Sequence, residues 1–168
     1  ASANNGVLSV AFRGRLDFRG PDAFEEAKTA YVGSKVQTLA KKKWGTPTHA
    51  KFVSYYGSDT FLDEQMLLVI EGKGQFAGEV APSKRGNMES ARNEAFKKGY
   101  QDNILVMAAL SSLEQGSGSM ASWQMMWAYW TGEVPKYAPW ARANKRCTNY
   151  ATCGNFTSGV QDNVGKAE

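Results

Sequence analysis

Histidine and cysteine are scarce in this sequence: His49 stands alone, and Cys147 and Cys153 are the only cysteines among 168 residues. A structural zinc site takes four such ligands, and the lone CxxxxxC spacing supplies two. A metal is therefore not expected, and nothing in the chain calls for a cofactor. Acyl-transfer chemistry would have to be built on His49, which follows Thr46-Pro47-Thr48 at the start of an expected strand. There an exposed turn histidine is the plainer reading. No GxSxG elbow and no GxxxxGK[ST] phosphate loop occurs. Asp59, Asp63, Glu64, Glu71 and Glu79 are the carboxylates that might pair, but the sequence brings no two of them to one cleft. The expectation is a protein that is not an enzyme.

A long apolar run is also missing. A membrane-spanning helix needs about twenty predominantly apolar residues, and the uncharged stretch from Gln115 to Gly132 is too rich in Ser, Gly and Gln to qualify. A strong excess of either charge is absent too. The net charge of +4 and pI near 9.0 permit an acidic partner without demanding one. The chain opens on Ala1 rather than Met, which fits a removed signal peptide but also simple clipping of Met before a small residue; the expectation taken is an extracytoplasmic or cell-surface location. In an oxidising compartment Cys147 and Cys153 are expected to form a disulfide; in a cytosol they would remain thiols. Asn155-Phe156-Thr157 is a glycosylation sequon if the source is eukaryotic.

Against these absences, the chain has 42% apolar residues and enough length to bury a core without staples. Two nonapeptides, FRGRLDFRG (12–20) and IEGKGQFAG (70–78), share Gly, Phe and Gly at matching places and each leads toward a helical pattern. They raise the question of a duplicated unit, which three identities in nine leave open. Residues 7–18 alternate as a half-buried strand. Asp22 then caps a helix expected from Ala23 to Lys43, where KKK (41–43) sits at the C-terminal end and is read as solvated. HAKFVSYYG (49–57) and MLLVI (66–70) read as strands. A second helix runs from the Asn87 cap to about Gln115. The expected fold is α+β, with two helices on one face of an antiparallel sheet in the order β-α-β-β-α, spanning residues 1–115.

Residues 116–168 differ in character. GSGS (116–119) is a hinge, followed by three Trp, three Met and one Tyr within 120–130. As a helix this segment puts Met120, Trp123, Trp127 and Trp130 on one face, with Met126 and Tyr129 elsewhere; as a strand it is apolar on both faces, and either way most of it must be covered. Such a surface is either a last core element or a subunit interface, where Trp, Tyr and Met are enriched. The remainder reads as an extended C-terminal arm pinned by the Cys147–Cys153 loop, lying on the core or on a neighbour.

Two functions follow as expectations. The first is a non-catalytic, exported structural subunit of a homomeric assembly such as a filament, ring or sheath. Its contacts would come from Trp123, Met126, Trp127, Trp130 and Trp140, and its partner is a second copy of itself. The alternative is a protein that binds single-stranded nucleic acid with a basic strand face. That face would comprise Arg13, Arg15 and Arg19, with Lys73 at the matching place and Lys84 and Arg85 in the loop beyond.

The segment MLLVIEGKGQFAG…NMESARNEAFKKGYQDNILVMAAL, about residues 66–110, resembles secreted bacterial domains of flagellar outer-ring and basal-disk lipoproteins. The resemblance rests on GKG after an apolar strand, on Asn87 as a cap, and on the run Glu89, Ala91, Arg92 and Ala95. It implies an exported α+β domain that assembles laterally into rings or sheaths. It covers a quarter of the chain, and the chain begins with Ala rather than a lipidated Cys, so lipid anchoring is not implied. The same SARNEA helix is similar to one in strand-annealing recombination proteins. The basic residues of that family, however, are replaced here by Gln101, Asp102 and Asn103.

Overall fold

The computed structural model describes residues 23–77, 88–116, 118–132 and 138–151, and every regular element within them is helical. No strand occurs among the described residues, so the expected α+β sheet fold, including the one implied by the family resemblance, is corrected to an all-helical architecture. The strand expected at 7–18, the cap at Asp22 and the cap at Asn87 lie outside the described residues, as does the first nonapeptide (12–20).

The helix expected from Ala23 to Lys43 is two helices, α1 (Ala23–Tyr31) and α2 (Lys35–Ala40). Gly33 interrupts them at φ +75° and Ser34 starts the second, accepting the Gln37 N–H. The residues expected as a strand at 49–57 form α3 (Pro47–Tyr56). Its boundary chemistry overrides the aromatic and branched composition. Thr46 caps the N-terminus, Pro47 takes the first turn, where its missing N–H costs nothing, and Gly57 closes the end with φ +74°. The run MLLVI belongs to α4 (Phe61–Glu71), whose Asp63 and Glu64 lie in the first turn and whose C-terminus ends at Gly72. A short continuous apolar run is compatible with a buried strand or a buried helix. Here Phe61, Leu62, Met66, Val69 and Ile70 are buried together because α4 is enclosed by its neighbours. A 3-10 turn follows at Gly74–Phe76.

From Met88 to Gln115 the chain is one helical rod made of α5 (Met88–Lys98), a π turn (Gly99–Ile104) and α6 (Leu105–Gln115). Phe96, Tyr100, Ile104 and Ala108 are all buried and stand four residues apart. At 3.6 residues per turn, each step of four overshoots by about 40°, and the wider π turn returns the row to the core. Gly99 opens this turn against α4: a Cβ there would stand 2.6 Å from Met66 Sδ. Met66 fills the space left by the missing side chain and is itself 2% exposed.

Polar ties fix α1 to α4. Tyr31 donates its hydroxyl to Asp63 Oδ1 at 2.8 Å, and Lys41 lies 3.6 Å from the other carboxylate oxygen. Asp63 is 4% exposed, so both contacts offset the cost of burying its charge. Burial, with the Asp63 charge and hydrogen bond behind it, pushes the Tyr31 phenol far above its ordinary range. Arg92 of α5 donates from Nε to the Val69 carbonyl at 2.7 Å and from Nη2 to the Ile70 carbonyl, both in the last turn of α4. A guanidinium there satisfies free carbonyls and complements the negative end of the helix dipole. Its plane also covers the Phe24 ring at 3.7 Å, so one side chain joins α1, α4 and α5.

Two further helices follow: α7 (Met120–Thr131) and α8 (Pro139–Asn149). The latter corrects the expectation of an extended arm over those residues, since Pro139 at the first turn starts a helix that packs on α7 and on the π turn.

Candidate functional site

Helix α7 is the antiparallel partner of α6 in a tight helical hairpin. Gly116 makes the reversal feasible, because a Cβ at that position would sit 1.7 Å from Ser122 Oγ. Two inward contacts anchor α7: Met126 is buried, and Tyr129 packs against the main core. Burial raises the Tyr129 phenol accordingly. The adjoining face is another matter. Trp123, Trp127 and Trp130 are half-buried there, and Met120 on the same face is 73% exposed. All twelve residues of α7 are uncharged. The Trp130 indole N–H is buried without a hydrogen-bond partner, although such donors are normally paired when covered.

Helix α8 extends this surface through Trp140, which is half-buried. It is held to the rod by Arg142, whose Nε and Nη2 donate to the two oxygens of Asp102 at 3.1 and 2.7 Å. The Asp102 hydrogen bond raises the Arg142 guanidinium above its already high ordinary value. Cys147 is buried in the last turn of α8 and is disulfide-bonded. The other cysteine of the chain, Cys153, lies outside the described residues.

Of the five expected interface residues, Trp123, Trp127, Trp130 and Trp140 are half-buried, and the fifth, Met126, is buried inside the chain. Of the basic set, Arg13, Arg15, Arg19, Lys84 and Arg85 lie outside the described residues. Lys73 is exposed with its Nζ 2.7 Å from Glu71, a carboxylate that also holds Lys28 at 3.0 Å. These hydrogen bonds, that of Lys73 first, pull the Glu71 carboxyl below its ordinary range.

Of the residues weighed for catalysis, Glu79 lies outside the described residues and the others are tied into structural contacts. Lys43 lies 2.5 Å from Asp59, and Glu64 accepts from the Ser58 and Thr60 hydroxyls at 2.5 and 2.8 Å. His49 is 5% exposed within α3 and its ring lies 6.0 Å from Phe61, so it is a core residue rather than the exposed turn histidine expected. Among the described residues no group of His, Cys, Asp and Glu could hold a metal ion, and no helix is long and apolar enough to cross a membrane.

Sequence reasoning missed the π turn and the docking of α8 onto it. The signal for the first was present as the five-residue step from Ala95 to Tyr100 in a stripe whose other steps are three or four. The Arg142–Asp102 pair, forty residues apart, left no local trace. Comparison with known proteins adds no parallel: the chain matches no family model, no curated protein and no solved structure.

Proposed function

We propose that this chain is a non-catalytic subunit of a homomeric assembly, and that the open face of α7, extended by Trp140, is covered by a second copy. The observation that carries this reading is a twelve-residue helix with no charge and three half-exposed tryptophans. Interface cores are depleted in charge and enriched in Trp and Met, and their energy is concentrated in a few large aromatic anchors. The disulfide at Cys147 supports placing the assembly in an oxidising, extracytoplasmic compartment.

The nucleic-acid alternative draws no comparable support. Five of its six basic residues lie outside the described residues, and the sixth, Lys73, is paired with Glu71.

Sedimentation velocity over a wide concentration range tests the proposal. Mass is expected to rise with concentration in the parent chain and to remain that of a monomer in Met120→Glu. Met120 is on the tryptophan face and 73% exposed, so that variant should melt at the parent temperature. A parent chain that stays monomeric throughout, or a Met120→Glu chain that associates as the parent does, overturns the proposal.

A further inference from the structure

Away from the α7 face, a groove of about 310 Å³ opens between α3 and α4 on one side and the helical rod on the other. Ligand pockets run from roughly 300 to 1,000 Å³, so this one suits a small molecule. Its volume equals that of about ten waters at ~30 Å³ each.

Three features narrow the occupant. The first is a set of nearly parallel rings on the α3 wall. Tyr56 and Phe61 lie 4.9 Å apart at 5°, and Phe52 and Phe61 5.7 Å apart at 8°. Phe52 and Tyr56 remain 41% and 47% exposed, so one flank of the stack is open. The facing wall is aliphatic, made by Val106 and Leu110 of α6. A slot with ring faces on one side and branched carbons on the other fits a flat apolar body.

The second feature is the π turn. Gly99, Asp102 and Asn103 of that turn line the groove. Single π insertions in otherwise regular helices occur frequently at functional sites, and this one puts polar groups at the mouth of an apolar slot. The third feature is charge. Lys98 lines the groove and shares Glu94 with Lys97, at 3.7 and 2.9 Å respectively. Asp102 is taken up by Arg142. Lys98 and Asp102 are the charged residues of the lining; with Asp102 neutralised by Arg142 and Glu94 divided between two lysines, Lys98 is the incompletely compensated charge. Gln65 and Gln75 add amide groups to the lining.

We propose that the groove between α3, α4 and the π turn is a binding site for a small aryl carboxylate, with its ring plane against Phe52 and Tyr56 and its carboxylate toward Lys98 and Asn103. The site is separate from the α7 face and does not depend on the assembly reading.

Isothermal titration with 2-naphthoate and with its neutral analogue 2-naphthalenemethanol tests the site. One saturable site is expected for the acid, with the alcohol binding more weakly. Lys98→Gln should weaken the acid about fivefold, the worth of one half-exposed ion pair, and leave the alcohol unchanged. Lys35→Gln, an exposed lysine on α2, should leave both unchanged. Val106→Trp fills the slot and should abolish binding of both. If that variant does not melt cooperatively, Leu110→Trp takes its place, since Leu110 is 43% exposed. Absence of saturable binding, equal affinity for acid and alcohol, an unaffected Lys98→Gln, or binding that survives the filled slot overturns the proposal.

Discussion

Arg142 and Asp102 meet through two parallel hydrogen bonds, 3.1 and 2.7 Å, that fasten α8 to the π turn of the central rod. The planar guanidinium matches both carboxylate oxygens, whereas an ammonium would contact them as a point charge. Arg142→Lys is therefore expected to lose most of the tie. Both groups are partly exposed, at 21% and 38%, so solvent screening limits the cost to about 1 kcal/mol. Hydrogen exchange should quicken in Pro139–Asn149 and not in α4. Unchanged protection of α8 would show that the pair contributes nothing to docking.

Tyr31→Phe removes the hydroxyl that Asp63 accepts and leaves a 4% exposed carboxylate with Lys41 as its charged partner. Leaving a buried polar group under-satisfied costs about 1–3 kcal/mol, measurable as a lower urea midpoint at constant slope.

The same tyrosine sets an alkaline limit. Burial raises the Tyr31 and Tyr100 phenols above their ordinary 10.0. A raised folded value means that the stability these groups contribute is complete below pH 10 and declines above it, because the unfolded chain releases those protons first. In an ultraviolet titration Tyr31 and Tyr100 at least, of the seven tyrosines, should ionise only as the far-ultraviolet helix signal collapses. Smooth ionisation of all seven in a folded chain would contradict this.

On the acid side the signs reverse. Glu114 is held below its ordinary 4.5, chiefly by the Thr48 hydroxyl, and accepts the Thr48 N–H at 3.1 Å in the first turn of α3. Glu71 and Glu94 are depressed as well, by lysine hydrogen bonds. Their contribution is present above pH 4.5 and is lost as pH falls through the depressed folded values. Thermal midpoints should be level from pH 7 to pH 5 and fall below about 4. Glu114→Gln should start lower and fall less steeply.

Gly99→Ala isolates the close approach of the rod to α4. Helix propensity alone favours alanine by about 1 kcal/mol, yet the new methyl would stand 2.6 Å from Met66 Sδ. Overpacking of a filled core costs about 1–3 kcal/mol, so a net loss is expected. Met66→Ala in the same chain should recover part of it, as a double-mutant cycle would register. A stabilised Gly99→Ala would mean that Met66 yields freely.

Some of this architecture was legible in advance. The stripe from Met88 to Ser111 marks the rod, and the helical reading of 120–130 separates the tryptophan face from Met126 and Tyr129, as the structure does. The start and stop signals of α3, Thr46-Pro47 and Gly57, were also present, but the aromatic and branched residues between them favoured a strand. Local chemistry alone thus determined where helices can begin and end. Tertiary structure decided the rest. MLLVI became helix with Met66, Val69 and Ile70 turned to the core and Leu67 and Leu68 half-buried, a split at helical spacing that depends on where α4's neighbours lie. Arg92, Arg142 and Gly99 acquired their roles from partners between twenty-two and sixty-eight residues away. Hydrogen bonds and packing act through space, and no period along the chain records them.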